Sequence, residues 1–353
     1  MVNLLSLEKD GYLEFDMEIN KPSTERSMLG DPEGINRVRR NYQKDELVHY
    51  TLRDPESATY EDKEVLVHLD SFCVGDTICF ASFLEPFVNY HKTKRIFVTT
   101  FFPEFFESDD PGVVFVPANS DSFIEADCHI NVGYDKGNLS HTLGGLFYAT
   151  KDSMKIPHGL NPGRSFMKTK EVKRQPRKIV IAPESLKKIA RWDFPGGWQM
   201  VVDYFIQRGY QIYNVSYEDY IRLSGVINYN GFSDINVSLG HILEAAVFVG
   251  LSSGLSWMSW AYGIPTVMIS GFTKDHNEFP CYRVSNKIGC NGCFNVIPQV
   301  INSCPILYGT ERQNECHNSF ITPGMVIEKI EQALMENPVF IPDGNRGFNG
   351  DIY

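Results

Sequence analysis

Apolar positions along the chain fall into short buried runs separated by small polar turns and by longer apolar stretches of helical length. Residues 247–270 show the pattern most clearly, reading VFVGLSSGLSWMSWAYGIPTVMIS. Val247, Phe248 and Val249 form a run long enough for a buried strand, and Gly250 ends it. Ser252, Ser253 and Gly254 then make a polar turn, and an apolar helix over 255–262 follows, closed by Gly263. A second buried strand covers 266–269. Strand, turn, helix and strand in this order define a βαβ unit of an α/β fold.

The same grammar recurs upstream. Residues 65–69 (VLVHL) read as a buried strand, 70–77 as a turn, 78–90 as a helix and 94–99 as the next strand. Further strands are expected at 113–116 and 129–132, with a helix at 143–150. A second series opens with KIVIA at 178–182, then a helix over 198–208, a strand over 210–215 and a helix over 237–246. Thr322 and Pro323 start a last helix over 324–335, with proline in its first turn. Residues 12–19 alternate Leu13, Phe15, Met17 and Ile19 with acidic residues, the period of a half-buried strand. The expected organisation is an N-terminal extension over 1–60, a first Rossmann-like domain over 61–170, a second over 171–335 and a polar tail over 336–353.

Several residue groups bear on chemistry. Ser252, Ser253 and Ser256 lie where a helix begins, beside Gly254. Free N–H groups and the helix dipole favour a phosphate there, and the small side chains allow close approach. The serines also fit plain helix capping. Asp76 at the other turn carries a carboxylate to a strand's carboxyl end, as a general base or as a cap. The aromatic run 101–107 (FFPEFFE) fits core packing better than a binding surface. Five of the eight cysteines fall between Cys281 and Cys316. Cys290 and Cys293 form a CxxC pair around Gly292, and Cys304 and Cys316 follow at loop-like spacing, a four-thiolate metal pattern. Thiolates alone do not separate iron from zinc, and four unligated buried cysteines are the alternative.

These motifs together resemble the bacterial heptosyltransferases of the two-domain GT-B type, over roughly residues 65–335. VGLSSGLSWMSWAYGIPTVMISGF is similar to their nucleotide-sugar-binding segment. Its Ser252-Ser253-Gly254-Leu255-Ser256 replaces the D-[ST]-G-x-x-H pattern of the lipopolysaccharide branch and matches the autotransporter heptosyltransferase branch. Gly75-Asp76-Thr77 resembles the family's G-D-[TV] turn, which implies Asp76 as the base that takes the acceptor hydroxyl's proton. Ser185 and Trp192 match an S-x-x-x-x-K-x-W element, but its lysine position holds Ala190; Arg191 or Lys187 would have to supply the cation. Tyr282-Arg283-Val284, Cys-x-x-Cys-aromatic, Cys-Pro and Glu-Cys are similar to that branch's iron-binding finger, here 281–320.

The resemblance implies a GT-B fold of two Rossmann-like domains facing a cleft, with a short β-rich N-terminal extension and a four-cysteine finger. It implies heptose transfer from a nucleotide-diphosphate heptose of the ADP-heptose type to a hydroxyl acceptor, such as serines of an autotransporter adhesin or another protein. The expected donor site is Gly75, Thr77, Ser185, Lys187, Arg191, Trp192, Gly250, Ser252, Ser253, Gly254, Leu255 and Ser256. The expected metal is a structural ferric iron on Cys290, Cys293, Cys304 and Cys316, with zinc as the alternative, and no organic cofactor. A homo-oligomer is expected. Competing readings are a non-catalytic scaffold or chaperone subunit that lost the lysine, a transferase using another donor on a surface polysaccharide, and, more weakly, an iron redox protein.

Composition narrows the field. Charged residues are 22% and hydrophobic ones 42%, the balance of a globular chain. A net charge of −11 argues against general nucleic-acid binding and against docking on anionic lipid. The basic stretch 168–178 fits a solvated linker between domains. No apolar run reaches membrane-spanning length, and the N-terminus lacks a signal-peptide pattern, so a cytoplasmic location and no disulfide framework are expected.

Overall fold

The structure is a computed structural model that describes residues 60–116, 124–133, 144–168, 170–185, 188–217, 219–231, 234–286, 292–295 and 320–339. The strand expected at 12–19, the rest of the N-terminal extension and most of the tail lie outside these residues. So do Lys187, Cys290, Cys304 and Cys316.

Two all-parallel sheets carry the fold. The first holds β1 (Glu64–Leu69), β2 (Arg95–Thr100), β3 (Val113–Phe115) and β4 (Cys128–Val132) in the order β3-β2-β1-β4. The second holds β5 (Lys178–Ala182), β6 (Gln211–Asn214), β7 (Ile227–Asn228), β8 (Val247–Leu251), β9 (Thr266–Ile269) and β10 (Tyr282–Val284) in the order β10-β9-β8-β5-β6-β7. Parallel strands need covering helices on their faces, which is why the central strands read as unbroken apolar runs. Both β5 and β8 are buried along their whole length.

The helices are α1 (Val74–Ala81), α2 (Leu84–His91), α3 (Gly145–Ser153), α4 (Gly197–Ile206), α5 (Ile235–Leu243), α6 (Gly254–Ala261) and α7 (Pro323–Glu336). The single helix expected over 78–90 is two. Ser82 ends the first by donating its hydroxyl to Cys79 O at 2.7 Å, and Phe83 N turns back to Phe80 O. The first helix also starts earlier than expected, so Gly75, Asp76 and Thr77 lie in its opening turn. Strands β7 and β10 were not anticipated: they are two and three residues long, too short to show a period. Thr322 caps α7 by accepting from Met325 N, as its sequence predicts. This helix packs on α4 and the β8–β10 side of its own sheet.

Each sheet changes strand order once, between β1 and the edge strand β4 in the first and between the central β5 and β8 in the second. In open α/β sheets ligands bind at such points, beyond the carboxyl ends of the strands. The two halves meet in a shared core: Leu239, Trp257, Met258, Met268 and Phe279 pack in one cluster with the residues around β1 and α1.

The basic stretch 168–178 is exposed over 170–173, as a solvated linker should be, and is pinned at Arg174 and Lys178. Arg174 donates to Ala245 O and Ala246 O at 3.0 and 2.6 Å. Lys178 is the first residue of β5 and is 1% exposed; its Nζ donates to Glu244 at 2.5 Å and lies 3.0 Å from His241 Nδ1. The aromatic run is mostly core, with Phe105 and Phe106 buried, although exposed Phe72 stacks on Phe101 at 4.1 Å between centroids.

Burial holds His68, His91, His129 and His241 below the ordinary imidazole value. The unfolded chain binds these protons near pH 6.5, while the folded chain resists them to lower pH. Stability is therefore full above about 6.5 and is lost as pH falls toward the folded values. Thermal melts should show a lower Tm at about pH 5.5 than at about pH 7.5; an equal or higher value at the acid end would contradict this account.

Candidate active site at the junction of the two sheets

The turn after β1 and the turn after β8 touch. A Cβ on Gly75 would lie 2.8 Å from Trp257 Cδ1 and 3.3 Å from Gly254 Cα. A Cβ on Gly254 would lie 2.7 Å from Val74 Cγ1 and 3.6 Å from Gly75 N. Only hydrogen at both positions lets the first turns of α1 and α6 approach this closely. Two helix N-termini, each carrying unbonded N–H groups and a partial positive charge, thus converge at one place.

Asp76 sits in the first turn of α1, half-buried, and Ser71 Oγ donates to its Oδ2 at 2.9 Å. That bond fixes the carboxylate's orientation. Around it, Asn131 Nδ2 donates to Asp70 at 3.0 Å, and His68 Nδ1 lies 2.9 Å from Thr99 Oγ1.

The turn expected to hold the donor follows β8. Ser253 occupies the N-cap position of α6 in extended backbone and makes no side-chain capping bond. The turn's N–H groups are therefore not consumed by that serine's hydroxyl. Ser252 Oγ donates to Glu278 Oε1 at 2.5 Å. Glu278 has a fully buried side chain, and its carboxylate also accepts from Asn277 Nδ2 at 2.8 Å and from Arg283 Nη2. Sequence patterning gave no sign of Glu278, a lone carboxylate in an irregular stretch between two strands.

Several expected donor-binding residues also make bonds within the protein. Trp192 is 3% exposed, and its indole N–H donates to Ile321 O at 2.8 Å, which ties the chain to the start of α7. Thr77 is fully buried and bonds the backbone of Ser71 and Cys73, bracing its own turn. Ser256 is fully buried and donates to Leu251 O at 2.5 Å, locking α6 to the end of β8. Gly250 lies inside β8 against the Phe248 ring, and Leu255 packs between two core clusters. Ser185 follows β5, and its carbonyl accepts from Arg191 Nε at 2.9 Å. Arg191 also lies over the Tyr220 ring at 4.8 Å. Ala190 is buried in a small cluster with Ile189, Phe272 and Cys293.

The finger is described only over Gly292–Asn295. Gly292 has φ of +67°, the left-handed conformation expected of a knuckle glycine, and Cys293 behind it is buried. No group of metal-ligating side chains occurs among the described residues. Burial pushes the Cys281 thiol up to about 12, which disfavours the thiolate a metal needs. None of Cys73, Cys79, Cys128, Cys281 and Cys293 is in a disulfide. Among the described residues no helix is long and apolar enough to cross a membrane.

Comparison with known proteins places the chain. No family model matches it. It is 27% identical to the autotransporter heptosyltransferase Aah of Escherichia coli over 277 residues, covering 72% of this chain and 71% of Aah. It is 32% identical over 176 residues to BimC of Burkholderia thailandensis, an inactive autotransporter heptosyltransferase, covering 45% of this chain and 40% of BimC. Among solved structures it is similar to the iron-containing dodecameric glycosyltransferase TibC of enterotoxigenic E. coli, with a TM-score of 0.66, 24% identity and coverage of 80% of this chain and 78% of TibC. The fold is thus GT-B-like, and the sequence is similar to those of autotransporter heptosyltransferases.

Proposed function

We propose that the chain is a glycosyltransferase that moves a heptose from a nucleotide-diphosphate heptose to a hydroxyl acceptor, with inversion at the anomeric carbon. TibC has been solved in complex with ADP-D-β-D-heptose, which supports ADP-heptose as the donor class. The relatives' names support an autotransporter as acceptor, and serine hydroxyls on it are the attachment points of this proposal. The observation that carries the reading is the Gly75–Gly254 contact, which sets an oriented carboxylate beside a turn rich in N–H groups.

The chemistry follows from that juxtaposition. The diphosphate lies against the N–H groups of the Ser252–Gly254 turn, where the helix dipole offsets its charge. The acceptor hydroxyl attacks the anomeric carbon as the bond to the diphosphate oxygen breaks. Asp76 takes the acceptor's proton, and the diphosphate leaves with the bonding pair. Arg191, beside Ser185 at the end of β5, supplies the cation that Ala190 lacks.

Co-expression with an acceptor protein, followed by intact mass measurement, tests the reading: one or more added heptosyl residues are expected. No added mass, with the acceptor still co-purifying, would favour a scaffold subunit, the reading that Ala190 and the inactive relative BimC support. A second test bears on the turn alone. Ser253→Asp should weaken donor binding by about 2 kcal/mol or more by placing an anion at the diphosphate. Unchanged affinity by calorimetry would remove the donor from this turn.

Cys290, Cys293, Cys304 and Cys316 form the proposed structural metal site; iron-containing TibC supports iron as the metal, and its ferric state is part of the proposal. A thiolate set suits iron or zinc, and a bound ion would turn binding free energy into order for residues 281–320. The purified chain should carry about one metal per chain, and Cys290→Ser should lose it while Cys281→Ser keeps it. Metal-free, well-folded protein would refute the site. Assembly into a homo-oligomer is part of the same proposal, since TibC is dodecameric.

A further inference from the structure

The segment between β9 and β10 connects the donor turn to the knuckle through buried polar side chains. Ser252 gives its only hydroxyl proton to Glu278. A serine committed in this way offers a ligand lone pairs and no donor, so it is poorly suited to hold a diphosphate itself. Its hydroxyl anchors the turn whose backbone N–H groups do the binding. Glu278 in turn accepts from Asn277 Nδ2 at 2.8 Å, and Asn277 Oδ1 accepts from Asn295 Nδ2 at 2.9 Å. Asn295 Oδ1 accepts from Lys274 N at 2.8 Å. Two backbone bonds, from Gly292 N to Gly271 O and from Phe294 N to Phe272 O, seat the knuckle on the same segment.

Asn277, Glu278 and Asn295 are 3%, 3% and 4% exposed, so water cannot replace a lost partner. A buried carboxylate without partners is costly, and a chain of such bonds in low dielectric is sensitive at every link. The segment is also held from the other half of the molecule. Leu146 N donates to Asn277 O at 3.3 Å, and Gly145, at φ +79°, lies against the backbone of His276, where a Cβ would be 2.6 Å from the carbonyl oxygen.

We propose that Glu278 is a positioning residue that fixes the donor turn through Ser252 and, through Asn277 and Asn295, makes that turn depend on the seating of the Gly292–Asn295 knuckle. The proposal rests on the donor lying at the Ser252–Gly254 turn.

ADP binding by calorimetry and donor KM and kcat, on full-length Asn295→Ala, Ser252→Ala and the double variant, test it. Asn295→Ala should raise the ADP Kd and the donor KM by about tenfold, with kcat within about twofold. Ser252→Ala should do the same, and the double variant should be no worse than either single one, because both cut one chain. Glu278→Gln, which keeps an acceptor for Ser252, should recover most of what Glu278→Ala loses. If Asn295→Ala does not fold, Asn295→Ser takes its place, since it keeps a neutral polar side chain at this buried position but one too short to span to Asn277 Oδ1. Wild-type ADP affinity in the folded Asn295 variant, or additive effects in the double variant, would overturn the relay. Wild-type affinity in Ser253→Asp would overturn the donor site itself, so the two failures are separable.

Discussion

Asp76→Asn is expected to lower transfer by about a hundredfold or more while leaving donor affinity unchanged. The amide keeps the shape of the carboxylate and an oxygen for Ser71 Oγ, so the turn it braces should persist. What it cannot do is accept the acceptor hydroxyl's proton as the new bond forms. The loss should therefore appear in kcat and in kcat/KM alike, with the ADP Kd at the wild-type value. Rapid-quench or mass-based rates on the purified variant, beside calorimetry, make the comparison. A near-normal transfer rate would remove Asp76 from the mechanism and leave it as a first-turn carboxylate stabilised by the helix dipole.

The largest expected effect on stability is at Trp257. It is 3% exposed and meets Phe279 at 4.9 Å, Trp260 at 5.7 Å and Phe147 at 5.8 Å between ring centroids. Its indole edge also fills the space that Gly75 leaves open. Trp257→Ala removes a wedge shared by both sheets and should cost about 3–5 kcal/mol, the range for large buried aromatics. Because the cavity opens under α1, ADP affinity and the rate should fall in the folded protein as well. Chemical denaturation gives the free energy. A loss under about 1 kcal/mol would mean that the two sheets are joined elsewhere.

The sequence disclosed this arrangement unevenly. The βαβ unit at 247–269 was legible because parallel strands buried on both faces leave unbroken apolar runs, and Gly250, Gly254 and Gly263 punctuate them. Asp76 was legible by motif, but its helix was placed too late, since Gly75 and Asp76 look like turn residues until Trp257 and Gly254 are seen beside them. The internal bonds of Trp192 and Ser256 were not legible, because a binding aromatic or hydroxyl and a buried one have the same local sequence. What decides between them is a partner such as Ile321, 129 positions away. Glu278 was invisible for the same reason: Asn277 and Arg283 lie near it in sequence, but Ser252, 26 positions away, is brought to it only by the fold.

The glycine-to-glycine contact between α1 and α6 also governs how the molecule can move. Two backbones in contact cannot approach further, so a rotation of one half against the other would turn near this point of the shared core. Any rocking of one sheet against the other displaces atoms in proportion to their distance from that point. Asp76 is the neighbour of Gly75, and Ser253 is the neighbour of Gly254, so both stay almost still while the outer strands β3 and β7 sweep the longest arcs. If Asp76 and the Ser252–Gly254 turn are the reacting pair, such a rotation would leave them in register.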